Sequence, residues 1–315
     1  MSRCFSLTAS RDWCYRSVFT KSGLKSTITD LNDGTVIHCW IPKAQAPAKP
    51  NLLLIHGFGA NAMWQWCSYI KLLLPHYNLY IPDLVFFGDS YTSLPDRTES
   101  FQARCLMRVM EANLVSKMSI VGLSYGGFVA YSMAAQFEER VERVVICCAG
   151  VCVEERDLKE GLFKVRDVEE AARILVPQTP ETMKELLGFA FVKLPKVLPS
   201  CLLDDFISVM CTEFVEEKRD LIRAIPRNRK LADIPKITQP TLIVWGEQDQ
   251  IFPLELGYRH LGDNAELVVL KNTGHAFIVE KVKEFFKQLK SFLIDPPHPP
   301  VPVSSDGYPK HNSHK

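Results

Sequence analysis

The sequence predicts an α/β protein built on a mostly parallel eight-stranded sheet flanked by helices, with a helical segment inserted before the last strands. Two observations carry this expectation. Between Leu52 and Phe137, short apolar runs alternate with stretches of helical spacing, the rhythm of parallel strands joined by right-handed crossovers. From Val151 to about Ile234 that rhythm stops: no strand pattern is found, apolar residues recur at helical spacing, and prolines 177, 180, 195, 199 and 226 mark the breaks.

In chain order, Ser26 to Trp40 alternates polar and apolar residues around Asn32-Asp33-Gly34, which predicts an antiparallel hairpin. Leu52-Leu53-Leu54-Ile55 is apolar without alternation and so is expected to be buried on both faces. Met63 to Leu74 reads as an amphipathic helix, Leu79 to Leu84 as a strand carrying Asp83, and Thr98 to Leu114 as a helix. Met118 to Leu123 and Val141 to Ala149 are two more buried strands. Strand patterns return at Thr241 to Gly246 and Leu267 to Leu270, and Val279 to Leu293 has the spacing of a final helix. Four parts are therefore expected: an N-terminal segment 1–25, a core made of 26–150 and 236–293, a helical insertion 151–235, and a proline-rich disordered tail 294–315.

Composition narrows the function classes. The chain has 315 residues, 47% hydrophobic, enough for a sizeable core, and a formal net charge of +1. That balance disfavours nucleic-acid binding. No run approaches the length needed to cross a bilayer, so the expectation is a soluble protein. Ten cysteines fall partly inside strand-like runs, as at Cys147-Cys148, with no C-x-x-C pair, which reads as buried reduced thiols. The histidines lack ligand spacing, and neither metal nor cofactor is expected. Residues 1–25 are basic and rich in Ser and Thr, mildly like a transit peptide; the preferred reading is an ordered segment anchored by Trp13, Tyr15 and Phe19, in a cytoplasmic protein.

The chemistry centres on Gly122-Leu123-Ser124-Tyr125-Gly126-Gly127. A strand leads into it and a helix leads out, so the serine sits on a sharp turn where glycines let strand and helix close up. The helix beginning there aims unpaired N–H groups and a positive dipole end at the same place, which suits an oxyanion. Three further segments end predicted strands: His56-Gly57-Phe58-Gly59, Gly246-Glu247-Gln248-Asp249, and Gly274-His275.

On these four motifs the chain resembles the α/β-hydrolase superfamily from about residue 26 to residue 293, most nearly the plant-type serine carboxylesterases and the monoacylglycerol-lipase and meta-cleavage C–C hydrolase branch. The resemblance implies a catalytic triad of Ser124, Asp249 and His275, in the order nucleophile, acid, base, with Glu247 the rival acid. It implies an oxyanion hole from the backbone N–H groups of Phe58 and Tyr125; His56, at a strand end, reads on its own as a structural histidine rather than a catalytic one. Ser124 attacks a carbonyl, His275 takes the proton, and Asp249 orients His275. The expected activity is hydrolysis of a small-molecule ester with an apolar acyl or aromatic part through an acyl-enzyme, with a lid whose Phe163, Leu187, Phe191 and Phe206 join Phe58 and Tyr125 around the substrate.

Two features refine the resemblance. Val85-Phe86-Phe87-Gly88 stands where many relatives carry Arg-Gly-His-Gly, placing more apolar surface near the entrance. A serine rather than an aspartate at the elbow argues against epoxide hydrolases and haloalkane dehalogenases. The alternatives are a triad-retaining signal receptor, similar to the plant strigolactone and karrikin receptors, and a C–C hydrolase or acyltransferase with the same triad.

Overall fold

The computed structural model describes residues 6–295 except 196, 260, 261 and 263. Beyond Asp295, the expected tail lies outside the described residues. Helix α1 (Leu7–Lys21) starts where the Ser6 side chain accepts from the Ala9 N–H. Phe19 is fully buried edge-on to Trp40, and Tyr15 meets the Trp64 ring edge. Trp13 does not anchor the segment: it is 70% exposed. Tyr15 and Phe19 are four residues apart and share one helix face, whereas Trp13 points off that face.

Strands β1 (Leu24–Asp30) and β2 (Thr35–Pro42) form the expected hairpin, with Asn32 and Gly34 at positive φ (57° and 86°) in the turn. The chain continues through β3 (Asn51–Ile55), α2 (Ala62–Leu73), β4 (Asn78–Pro82), the two-residue β5 (Tyr91–Thr92), α3 (Glu99–Ala112), β6 (Met118–Leu123), α4 (Tyr125–Gln136) and β7 (Val141–Cys147). Five helices follow: α5 (Glu155–Lys159), α6 (Val168–Leu175), α7 (Pro180–Ala190), α8 (Ser200–Met210) and α9 (Val215–Ala224). Two of the prolines do the expected work, Pro180 opening α7 and Pro199 standing at the cap of α8. The last strands are β8 (Thr241–Gly246) and β9 (Ala265–Leu270).

The sheet runs β1-β2-β4-β3-β6-β7-β8-β9, with β5 paired to β2. From β4 to β9 every pairing is parallel; the pairings of β2 with β1, β4 and β5 are antiparallel. The eight expected strands are present, and β5 is additional because two residues carry no periodicity to read. Strand β6 is buried at every position, as its unbroken apolar run requires. The expected helix over 279–293 is interrupted: α10 (Phe277–Glu280) ends at Lys281, and α11 (Val282–Leu289) restarts after it. Beside this break the Ile278 carbonyl accepts from Tyr69 Oη at 2.6 Å, which ties the C-terminal helices to α2. Tyr69→Phe, which strands that carbonyl, is expected to lower stability by about 1–2 kcal/mol, read from a urea midpoint. Among the described residues no helix is long and apolar enough to cross a membrane.

Candidate active site

Ser124 follows β6 and precedes α4, with φ 53° and ψ −121°, a backbone shape an L-residue rarely adopts. The turn is held on both sides: the Ser124 N–H donates to the Cys147 carbonyl at 2.7 Å, and the Gly127 N–H to the Ser124 carbonyl at 2.8 Å. It is possible only with glycine on either side. A Cβ at 122 would lie 2.2 Å from the Gly126 carbonyl oxygen, and one at 126 would lie 2.5 Å from the carbonyl oxygens of Ile55 and His56. The loop after β3 therefore presses directly on the elbow.

That loop is fixed by its neighbours. Gln65 Oε1 accepts from the Gly57 N–H at 2.8 Å, while Gln65 Nε2 donates to the Gly57 and Phe58 carbonyls at 3.1 and 3.0 Å. These bonds hold the backbone on both sides of Phe58 to α2. The Tyr125 N–H opens α4 and so has no intrahelical acceptor. Gln65 was not singled out from the sequence; a glutamine one turn into an amphipathic helix carries no signal that it clamps a loop. His56 is buried with both ring nitrogens engaged, Nδ1 donating to the Gly57 carbonyl at 2.8 Å and Nε2 accepting from the Leu84 N–H at 2.9 Å. Burial pulls its pKa below the ordinary histidine value. It is a neutral brace.

After β8 and β9, Asp249 and His275 meet. His275 Nδ1 donates to Asp249 Oδ2 at 2.8 Å, and Asp249 Oδ1 accepts from the Ile251 and Phe252 N–H groups at 2.8 and 2.9 Å. A carboxylate only accepts, so the proton of the neutral ring is on Nδ1 and Nε2 is left with its lone pair, the form a general base needs. Glu247 is engaged elsewhere, accepting from the Asn272 N–H at 2.9 Å. Ser124 Oγ and His275 are not hydrogen-bonded; such contacts commonly tighten when substrate binds. The two halves are adjacent across β7: Cys147 accepts from Ser124, and the next residue, Cys148, has its sulfur close to Asp249 and His275.

The ligand atoms of Cys148, Asp249 and His275 lie within 4.8 Å of one another, close enough to suggest a metal. Their chemistry does not fit one. Burial pushes the Cys148 thiol well above its ordinary value, which disfavours the thiolate a metal takes, and both Asp249 oxygens already accept N–H donors.

A second Ser–His–Asp chain runs elsewhere. Ser26 Oγ is 2.8 Å from His38 Nε2, and His38 Nδ1 donates to Asp83 Oδ2 at 2.7 Å, while Asp83 Oδ1 accepts from the Ala62 N–H at 2.8 Å. Ser26 sits mid-strand, paired with Trp40, where no helix N-terminus supplies oxyanion donors. This chain ties β1, β2 and β4 to the start of α2.

An apolar cleft of about 660 Å³, counting space open to solvent, lies between the acid loop and helices α6, α7 and α9. Phe163, Ile174, Phe189, Ile222, Ile251 and Phe252 are among its walls. The Phe252 ring lies 6.0 Å from that of His275 and 5.5 Å from that of Phe128. Of the expected substrate contacts, Phe163 lines this cleft; Leu187 and Phe206 instead line a groove against Leu7 and Trp64 beside α1. Phe191 lines neither. Helix α7 ends at Ala190, so Phe189 in its last turn faces the cleft while Phe191 lies in extended backbone beyond it. Phe58 and Tyr125 pack edge to face, 5.3 Å between ring centroids.

The family described as alpha/beta hydrolase fold matches residues 50–282, which contain the Ser124 elbow, the loop after β3 and the Asp249–His275 pair. The chain belongs to the α/β-hydrolase fold family. Among its relatives, the mouse (Mus musculus) monoacylglycerol lipase ABHD6 is 28% identical over 81% of this chain and 79% of its own length. Lipase 3 of Moraxella sp. is 28% identical over 76% of each chain. Among solved structures, a bacterial membrane phospholipase A superposes with a TM-score of 0.70 at 27% identity, covering 91% of this chain and 90% of its own. A putative lipase from Acinetobacter baumannii reaches 0.74 at 24% identity, covering 92% of this chain and 97% of its own, a likeness of fold. Within the family this hydrolase resembles the monoacylglycerol-lipase branch.

Proposed function

We propose that this α/β-hydrolase is a serine ester hydrolase acting on substrates with an apolar acyl chain through a Ser124–His275–Asp249 triad. The observation that carries the reading is Ser124 held at positive φ on the first turn of α4, at the same sheet edge as a His275–Asp249 pair whose Nε2 is free. His275 Nε2 takes the Ser124 proton as Oγ attacks the ester carbonyl, and the N–H groups of Phe58 and Tyr125 receive the oxyanion. The imidazolium then protonates the departing alcohol. Water, deprotonated by His275, cleaves the acyl-enzyme and restores the serine. The helices between β7 and β8 act as a lid, and the cleft walled by Phe163, Phe189 and Phe252 receives the acyl chain. Lipases and a phospholipase among the relatives support an ester of lipid type.

The test is a p-nitrophenyl ester series from acetate to long acyl chains. Each methylene entering the cleft is worth about 0.8 kcal/mol, so kcat/KM is expected to climb roughly fourfold per methylene until the cleft is full. Phe163→Trp, which shortens the cleft, is expected to move the optimum to shorter chains. An enzyme inert toward the whole series would defeat the reading for such esters.

A further inference from the structure

Lys218 is a buried side chain that the triad mechanism leaves unused. It projects from α9 with 6% of its surface exposed. Among the described residues its ammonium has no ion pair or side-chain hydrogen bond, only the face of Phe87, 5.1 Å from Nζ to the ring centroid. Glu213, Glu217, Cys211 and the neutral His56 are the titratable groups near it, and neither carboxylate closes to an ion pair. A buried charge without a partner is costly, and desolvation accordingly draws this lysine below its ordinary pKa.

Small clefts adjoin the buried Lys218. It lines two clefts: one walled by Phe58, Gly59, Ala60, Phe87, Leu175 and Cys211, the other by Asn61, Phe86, Gly88 and Glu213. The first contains the loop that supplies the Phe58 N–H, and the Phe58 and Phe87 rings meet edge to face at 5.1 Å. The Phe87 and Phe58 rings thus stand in series between the ammonium and the backbone of the expected oxyanion site. Leu175 borders both this cleft and the apolar one beside His275, so the two flank it. An amphiphile bound with its acyl chain in the apolar cleft would direct its other end toward Lys218.

Resting on the ester-hydrolase reading, we infer that Lys218 forms an anion subsite on the alcohol side of the scissile bond, so that the preferred substrate is an acyl ester whose alcohol carries a phosphate or carboxylate. The bound anion supplies the partner the lysine lacks and fixes the ester carbonyl at the Phe58 and Tyr125 N–H groups. Binding energy at the headgroup is spent on orientation at the reacting carbon. A neutral glycerol ester forgoes it.

Two measurements on the full chain test this. The first is the ratio of kcat/KM for 1-decanoylglycerol 3-phosphate to that for 1-decanoylglycerol. One charge-assisted contact is expected to give a preference of about tenfold or more for the phosphate ester. Lys218→Met is expected to bring the ratio toward one, and Lys218→Arg to keep most of it. A merely structural lysine would change both rates together, leaving the ratio where it was, and that result overturns the inference. The second measurement is calorimetric binding of decyl phosphate, decanoate and decanol to the Ser124→Ala protein with and without Lys218→Met. Tighter binding of either anion than of decanol, lost with Lys218, supports the subsite and names its anion; equal binding of all three overturns it. Because this arm needs no turnover, an enzyme inert to every ester would count against the hydrolase reading and leave the anion subsite separately legible.

Discussion

Ser124→Ala is expected to lower hydrolysis of a good p-nitrophenyl ester by about 10⁴- to 10⁶-fold while leaving the thermal unfolding curve in place. The loss is that large because no other group can form the acyl-enzyme; what remains is positioning and oxyanion stabilisation of a direct attack by water. His275→Ala should cost about as much, and the double variant little more, since serine and base act as one unit. Asp249→Asn is expected to cost about 10⁴-fold by favouring the wrong tautomer of His275. Single-turnover kinetics and mass spectrometry of the quenched enzyme check the series: wild type carries the acyl mass and Ser124→Ala does not. An acyl adduct on another residue, or Ser124→Ala activity within tenfold of wild type, would remove Ser124 from the mechanism.

The second large effect is on stability. Asp83→Ala is expected to destabilise the protein by about 3–5 kcal/mol, read as a shift in urea midpoint at unchanged slope. The Asp83 carboxylate is buried and takes hydrogen bonds from His38 Nδ1 and the Ala62 N–H; its removal strands two buried donors at the junction of β2, β4 and α2. Substitution of Gly88 should act through the same group, since a Cβ there would lie 2.2 Å from Asp83 Oδ2. A shift below about 1 kcal/mol for Asp83→Ala would mean that the neighbouring backbone recovers those bonds elsewhere.

Both predictions begin from residues the sequence displays, yet the two were unequally legible. The elbow announces itself because its chemistry demands local features: an apolar strand, glycines at two fixed offsets, and a helix. The expected strands over 118–123 and 241–246 coincide with β6 and β8. Asp249 and His275 were readable because each ends a strand of the same parallel sheet, and such ends share an edge. The Asp83 cluster was not, since Ser26, His38, Asp83 and Ala62 become neighbours only through strand pairing that no local pattern encodes. The helices between β7 and β8 show the same division. Their existence follows from spacing and prolines, but which face each turns to the site depends on packing angles, so Phe163 was placed in the cleft and Leu187 and Phe206 were not. Lys218 was silent altogether, because a lysine in a charged helix reads as a solvated one.

The sheet order also sets when this molecule becomes reactive. The hairpin, the strands through β7 and Ser124 all lie in the first half of the chain. β8 must wait for the whole helical excursion before it can pair with β7, and His275 follows later still. Pairings between sequence-distant strands are slow to close. On the proposed mechanism, a chain that stops before β8 holds the serine without the base that would deprotonate it, and the hydrolase is complete only when the last strands are in place.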